Sequence, residues 1–309
     1  MLWFHQQAPN DLLALLMTLS GAVQVTLAGL ETGALYAFFL IGVLLVYQVS
    51  KQINFSYGQM GMVAAFGSWW LYSDIGLPVA VAVIVGIATS IIVAGLTEVL
   101  IIRRIPEKRV GYDLVVTLGV LLLLTAGAQV IFGTSSQSYL DLLSSSRVVL
   151  SGVFINGNDV LVVVIGVAAV IATRIALDRT GAGLSLRASA ENAAVARSVG
   201  INVTRLRTTI WVISGLIAAV SGILLGSRLS VDPFYMTPFL INTFIAGMIG
   251  GMDRFWPPII AAFGLGVYDS WAMFVFGPNG DAPAVFVLAL VILSAAPRRF
   301  VEERYEARA

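Results

Sequence analysis

Apolar residues run along this chain in blocks, and the blocks rather than a finer periodicity define its elements. A helix that crosses a hydrocarbon layer needs about 20 mostly apolar residues. Nine segments approach that requirement: 22–47, 57–73, 79–102, 113–133, 159–177, 207–227, 238–250, 256–276 and 283–296. The predicted fold is an all-α polytopic membrane protein with about nine transmembrane helices, eight to ten if the weakest blocks are re-entrant or divided. Two blocks are weak. The second is interrupted by Gly58, Gly61 and Gly67, and the seventh is short and ends in Gly250 and Gly251. Five spans apart, they run in opposite directions, the arrangement of inverted-topology halves that meet at a substrate path. A further apolar run at 12–19 predicts a separate interfacial helix before the first span.

The polar remainder orients the bundle. With the amino terminus outside and the carboxyl terminus inside, the cytoplasmic segments hold Lys51, Arg103, Arg104, Lys108, Arg109, Arg174, Arg179, Arg187, Arg197, Arg205, Arg207, Arg254, Arg298, Arg299, Arg304 and Arg308. Those are sixteen of the eighteen Lys and Arg residues, and only Arg147 and Arg228 fall outside. Such a split is what the positive-inside rule demands. The longest cytoplasmic connection is 178–206. Within it Ser189 is placed to cap a short helix from Ala190 to Val199, which Gly200 ends, and the Ala-rich composition favours helix. The segment reads either as a solvated loop helix or as a docking helix for a cytoplasmic partner.

Composition removes other classes. The chain is 58% hydrophobic and 11% charged, with a mean hydropathy of +0.92, against about 25% charged residues in soluble domains. A net charge of +1 carries no footprint for nucleic acid. The first residues lack the positive n-region of a secretory signal, so no cleavable peptide is expected. There is no cysteine, and the single histidine, His5, precedes the bundle, which leaves neither a thiolate nucleophile nor a histidine-based metal site. No phosphate-binding loop is present, so ATP-driven work needs another chain.

Polar residues inside spans are costly and mark function or pairing. Glu98 lies about one turn from Arg103 and reads as an interfacial pair. Glu31 and Asp269 have no basic neighbour in sequence, and a functional role stands level with a structural one for each. Three carboxylates without a His or Lys chain make a poor proton relay. The stretch Asn54-Phe55-Ser56-Tyr57-Gly58-Gln59 opens the second span with side chains that lipid cannot satisfy; it is either a helix-start cap or the wall of a water-filled path. The candidates for a substrate path are Glu31, Tyr36, Asn54, Ser56, Tyr57, Gln59, Asn242, Thr243 and Asp269.

These residues carry a resemblance. Gly29-Leu30-Glu31-Thr32-Gly33-Ala34-Leu35-Tyr36-Ala37, then Leu45-Val46-Tyr47 and Ile53-Asn54-Phe55-Ser56-Tyr57-Gly58, resemble the opening of the branched-chain amino acid permeases of ABC importers. Gly181, Arg187, Ala188, Glu191, Gly200-Ile201-Asn202 and Gly222-Ile223-Leu224-Leu225-Gly226 are similar to that family's cytoplasmic coupling loop and next span. Phe244-Ile245-Ala246-Gly247-Met248-Ile249-Gly250-Gly251, then Pro257 and Gly264-Leu265-Gly266, resemble its late glycine-rich hallmark. The resemblance implies one permease domain over 1–309 in a bacterial or archaeal cytoplasmic membrane. It implies a second related permease subunit, two cytoplasmic ATPase subunits that bind the ATP, an extracytoplasmic solute-binding protein, and no cofactor in this chain. Segment 188–202, within the loop 178–206, becomes the coupling helix, with Arg187, Ser189, Glu191, Asn192, Arg197 and Gly200 as the candidate ATPase contacts. The family usually carries His and Glu where this chain has Tyr57 and Gln59, and a Gly-Ser turn where it has Met252-Asp253-Arg254-Phe255-Trp256. Relatives handle branched-chain amino acids, urea, short amides and aromatic acids. The competing readings are a stand-alone secondary transporter and a membrane-embedded enzyme.

Overall fold

A computed structural model describes residues 8–105, 112–139, 147–150, 153–278 and 280–295. His5, Lys108, Arg109, Arg298, Arg299, Arg304 and Arg308 lie outside the described residues, as do both chain ends. Helix α1 (Ala8–Ser50) is followed by α2 (Tyr57–Ser73) and α3 (Val79–Leu96). The latter continues through a π turn (Thr97–Ile101) and a 3-10 turn (Ile102–Arg104). Then come α4 (Tyr112–Phe132), a short antiparallel hairpin of β1 (Arg147–Leu150) and β2 (Val153–Asn156), and α5 (Gly157–Arg179). Two short helices, α6 (Gly181–Glu191) and α7 (Ala193–Ser198), lead into α8 (Val203–Gly226), α9 (Met236–Gly250), α10 (Trp256–Phe276) and α11 (Asp281–Ala295).

Helices α1–α5 and α8–α11 fall on the nine expected segments. Among the described residues six helices are long and apolar enough to cross a membrane, and α9 and α11 are shorter apolar helices. The separate helix expected at 12–19 is not there. α1 runs unbroken for 43 residues, because nothing after Pro9 stops it and Gly21 alone costs a helix only about 1 kcal/mol. The hairpin was not legible as an element, its strands being four residues each.

α1 is the axis of the molecule. Its apolar window is 89% buried, against 22% for α3, α4 and α5. The outer helices turn Ile84, Ile92, Leu122, Leu123, Val164 and Leu290 outward, a surface that only lipid can solvate. Inside, glycines let backbones meet. Gly33 of α1 lies against Gly266 of α10, and Gly61 of α2 against Gly222 of α8, so closely that a Cβ at Gly222 or Gly266 would strike the partner's backbone. Small residues at helix crossings are the usual way to gain packing where no hydrophobic effect separates helix from lipid.

The packing repeats. α1 rests on α10 as α8 rests on α3; α2 rests on α3 and α4 as α9 rests on α10 and α11; α1 meets α8, and α2 meets α9. α1–α4 and α8–α11 are therefore equivalent halves traversed in opposite directions. Described basic residues collect at one end, where Lys51 bonds Asp253, Arg174 lies over the Phe255 ring, and Arg103 and Arg207 share Glu98. Arg228 lies near the other end, beside Glu31.

Candidate functional site

The two half-structures meet where α2 and α9 begin. α1 ends at Ser50, and Lys51 reverses the chain with a positive φ of 54°. Residues 52–56 then re-enter the bundle, so that α2 starts beside Phe39 and Gly42, with the Phe39 and Tyr57 rings 4.4 Å apart. Gly42 is eight residues before the end of α1, about 12 Å along the helix. α2 thus begins inside the bundle rather than level with the end of α1. The turn that starts it is built by Asn54, whose Oδ1 accepts from the Ser56 N–H at 3.0 Å and the Ser56 hydroxyl at 2.7 Å.

α9 begins in the same way. Asp232 Oδ1 accepts from the Phe234 N–H at 2.7 Å, and a tyrosine follows three residues after the turn-forming side chain in both cases, Tyr57 and Tyr235. Tyr235 donates to the Gly222 carbonyl of α8 at 2.9 Å, while the Tyr57 hydroxyl packs on Gly42 of α1. Two residues beyond each tyrosine, Gln59 Nε2 donates to Thr237 Oγ1 at 3.2 Å. The pair joins equivalent positions of the two halves, so the pseudo-two-fold passes between them. Thr237 and Asp232 were missed in the sequence; the signal was the match of Asn54-Phe55-Ser56-Tyr57 to Asp232-Pro233-Phe234-Tyr235.

A second polar group lies between α1, α9 and α10. Asn242 Nδ2 donates to the Tyr36 hydroxyl at 2.8 Å, and that hydroxyl donates to Asp269 Oδ2 at 2.9 Å. Tyr36 is buried, while Asn242 and Asp269 are half-buried. Glu31 stands apart, in an ion pair with Arg228 at 3.0 Å. Thr243 faces none of these; it is buried and returns its hydroxyl to the Phe239 carbonyl of its own helix at 2.8 Å. The nine expected path residues therefore form separate groups. Asn54, Ser56, Tyr57 and Gln59 are one, Tyr36, Asn242 and Asp269 another, with Glu31 and Thr243 alone.

Glu98 is more than an interfacial pair. Fully buried in the π turn, it accepts from Arg103 at 2.8 Å, Arg207 at 2.9 Å and Thr208 at 3.0 Å. It ties the end of α3 to the first turns of α8.

The 178–206 connection is helical, but its caps differ from expectation. Ser189 lies inside α6, buried, and does not cap. The break falls at Asn192, whose Oδ1 accepts from the Ala194 and Val195 N–H groups at 3.0 and 3.1 Å. An amide oxygen reaching two free N–H groups is a better cap than a serine whose own backbone is already helical. Gly200 ends α7 with φ +90°, as expected of a left-handed stop. Arg187 pairs with Asp178 at 3.3 Å, and Glu191, Asn192 and Arg197 are exposed. Leu184, Val195 and Val199 are also exposed, apolar side chains on a surface otherwise rich in charge.

The family described as branched-chain amino acid transport system / permease component matches residues 25–295. The chain belongs to that family. It is 26% identical over 288 residues to the high-affinity branched-chain amino acid transport system permease protein BraD of Pseudomonas aeruginosa, covering 89% of this chain and 94% of the relative. It is also 26% identical to the LivH permease protein of Salmonella typhimurium, covering 87% and 92%. The same identity relates it to a probable branched-chain amino acid transport permease protein LivH of the archaeon Methanocaldococcus jannaschii, covering 78% and 79%. Among solved structures, PsaBC from Streptococcus pneumoniae in complex with Fab shares the fold, with a TM-score of 0.51 at 12% identity over 90% of this chain and 94% of that one. Permeases of this family are transport components rather than enzymes. Among the described residues no group of three metal-ligating side chains occurs.

Proposed function

We propose that this permease is one of two related membrane subunits of an ATP-driven importer for a small polar solute, of the branched-chain amino acid, amide or urea kind. Two cytoplasmic ATPase subunits and an extracytoplasmic solute-binding protein complete the assembly in a bacterial or archaeal cytoplasmic membrane. The basic end faces the cytoplasm. The observation that carries this reading is the family match over 25–295, joined to an exposed helical segment at the basic end of the bundle.

The fold supplies a route for coupling. α6 packs on α5 and α1, and α7 leads directly into α8. A force on α6 and α7 from an ATPase reaches α8 through Val203, which is buried. α8 in turn holds α3 through Glu98, α1 through Ser214, whose hydroxyl donates to the Gly42 carbonyl at 3.3 Å, and α2 through Gly222. The solute passes beside the starts of α2 and α9, where neither helix spans the full hydrocarbon layer.

Pull-down from native membranes tests the docking. The parent should bring an ATPase with it. Val195→Asp puts a charge where an apolar side chain would be covered, and Gly200→Pro forbids the positive φ. Both should lower recovery of the ATPase at least tenfold while the permease still inserts. Undiminished recovery from both variants would remove α6 and α7 from the interface.

A further inference from the structure

Glu31, within α1, Glu98, in the π turn that continues α3, and Asp269, within α10, are three carboxylates of the spans whose surroundings can be compared. Glu31 has Arg228 at 3.0 Å, and Glu98 has Arg103 and Arg207. Asp269 has no cationic partner among the described residues; its one described donor is the Tyr36 hydroxyl on Oδ2. A carboxylate at membrane depth is stable only when paired or protonated. The chain supplies an arginine to two of the three and leaves the third with neutral partners. Resting on the permease reading, we infer that Asp269, with Tyr36 and Asn242, receives the primary ammonium group of the cargo as it crosses the bundle.

The donors point the right way. Asn242 spends Nδ2 on Tyr36, and Tyr36 spends its proton on Asp269, so this chain of bonds leaves Asp269 Oδ1 and Asn242 Oδ1 as acceptors. No described donor reaches either. An ammonium group brings three N–H donors and no acceptor, which matches two open acceptors, with one donor left for water or for the cargo's own carboxylate. Calcium or magnesium is a poor fit, since each takes six or more oxygen ligands and this group offers one carboxylate. Asp281, at the start of α11, lies near enough to add negative potential. Tyr36 is held by Phe239, ring centroids 4.8 Å apart, which gives the site an apolar wall. Asp269 and Asn242 are half-buried rather than sealed. A neutral amide or urea would leave the aspartate without its counter-charge, so the site selects amines within the solutes of this family.

Infrared difference spectroscopy tests this on the chain purified from its native membrane with whatever subunits accompany it. The probe is 3-methylbutylammonium chloride, with 3-methylbutanol and sodium chloride as controls. The amine should produce a carboxyl difference signal that is lost in Asp269→Asn, and neither control should reproduce it. Asp269→Asn keeps an acceptor for Tyr36, so its fold can be checked by its melting temperature. The inference is overturned if the amine gives no such signal, if the signal survives Asp269→Asn, or if the alcohol or sodium ion gives it equally. Whether an ATPase copurifies is read from the same preparation, so a failed permease reading and a failed ammonium site are told apart.

Discussion

Glu31 and Arg228 sit in different halves of the chain, and each is the other's reason for being tolerated. Glu31 is almost wholly buried while Arg228 keeps a quarter of its side-chain surface in contact with solvent. Solvent screening reduces the worth of such a pair, yet removing the arginine strands a buried charge. Arg228→Ala should therefore destabilise by about 1–3 kcal/mol, read as a lowered melting temperature in detergent. Adding Glu31→Gln to Arg228→Ala should recover part of the loss, because the stranded charge is gone. Strictly additive losses would contradict the pairing. Glu31 looked partnerless in the sequence because its partner is supplied by the turn after α8, nearly two hundred residues on. Glu98 shows the same limit from the other side. Its bond to Arg103 was legible, five residues away on one helix, while Arg207 and Thr208 arrive only when α8 packs on α3.

At the scale of elements, the two weak spans prove to be short, 17 and 15 residues, for a shared reason. Each is preceded by a side-chain-built turn, at Asn54 and at Asp232, that starts the helix inside the bundle. The glycines that interrupted the second block serve close packing rather than a break: Gly58 lies against α9 and Gly61 against α8, and α2 is continuous. Composition could flag both spans as weak, but it could not say that the weakness lies in where they begin. In the coupling segment, the stop at Gly200 was legible because a left-handed residue there needs glycine. The cap at Ser189 was misplaced because helix propensity alone does not reveal the break at Asn192. Two leucine substitutions separate packed from free glycines. Gly222→Leu would drive a side chain into the backbone of Gly61, which cannot yield like a flexible side chain; overpacking costs about 1–3 kcal/mol and more against backbone. Gly119→Leu on α4 meets nothing within 4 Å. Size-exclusion profiles and melting temperatures should show Gly222→Leu misfolded or strongly destabilised and Gly119→Leu close to the parent. Equal behaviour of the two would refute the α2–α8 crossing.

For the whole molecule, the apolar blocks gave the nine elements and the charge split gave two ends, and the structure gathers most of the described basic residues at one of them. What the pattern could suggest only weakly was the symmetry. Its evidence is tertiary: matching helix contacts in two halves of opposite direction, and the Gln59–Thr237 pair between them. In secondary transporters built from inverted repeats, access alternates by movement of one half against the other. In the proposed assembly that motion is driven from outside the chain, through α6 and α7, rather than by an ion gradient. Reconstitution decides between the two. The chain should be placed in proteoliposomes alone, and again with the partner subunits recovered from its native membrane and the solute-binding protein. Radiolabelled leucine uptake should require ATP and the full assembly, and should be absent from the chain alone under either a proton or a sodium gradient. Gradient-driven uptake by the chain alone, without ATP, would show a stand-alone transporter and contradict the account.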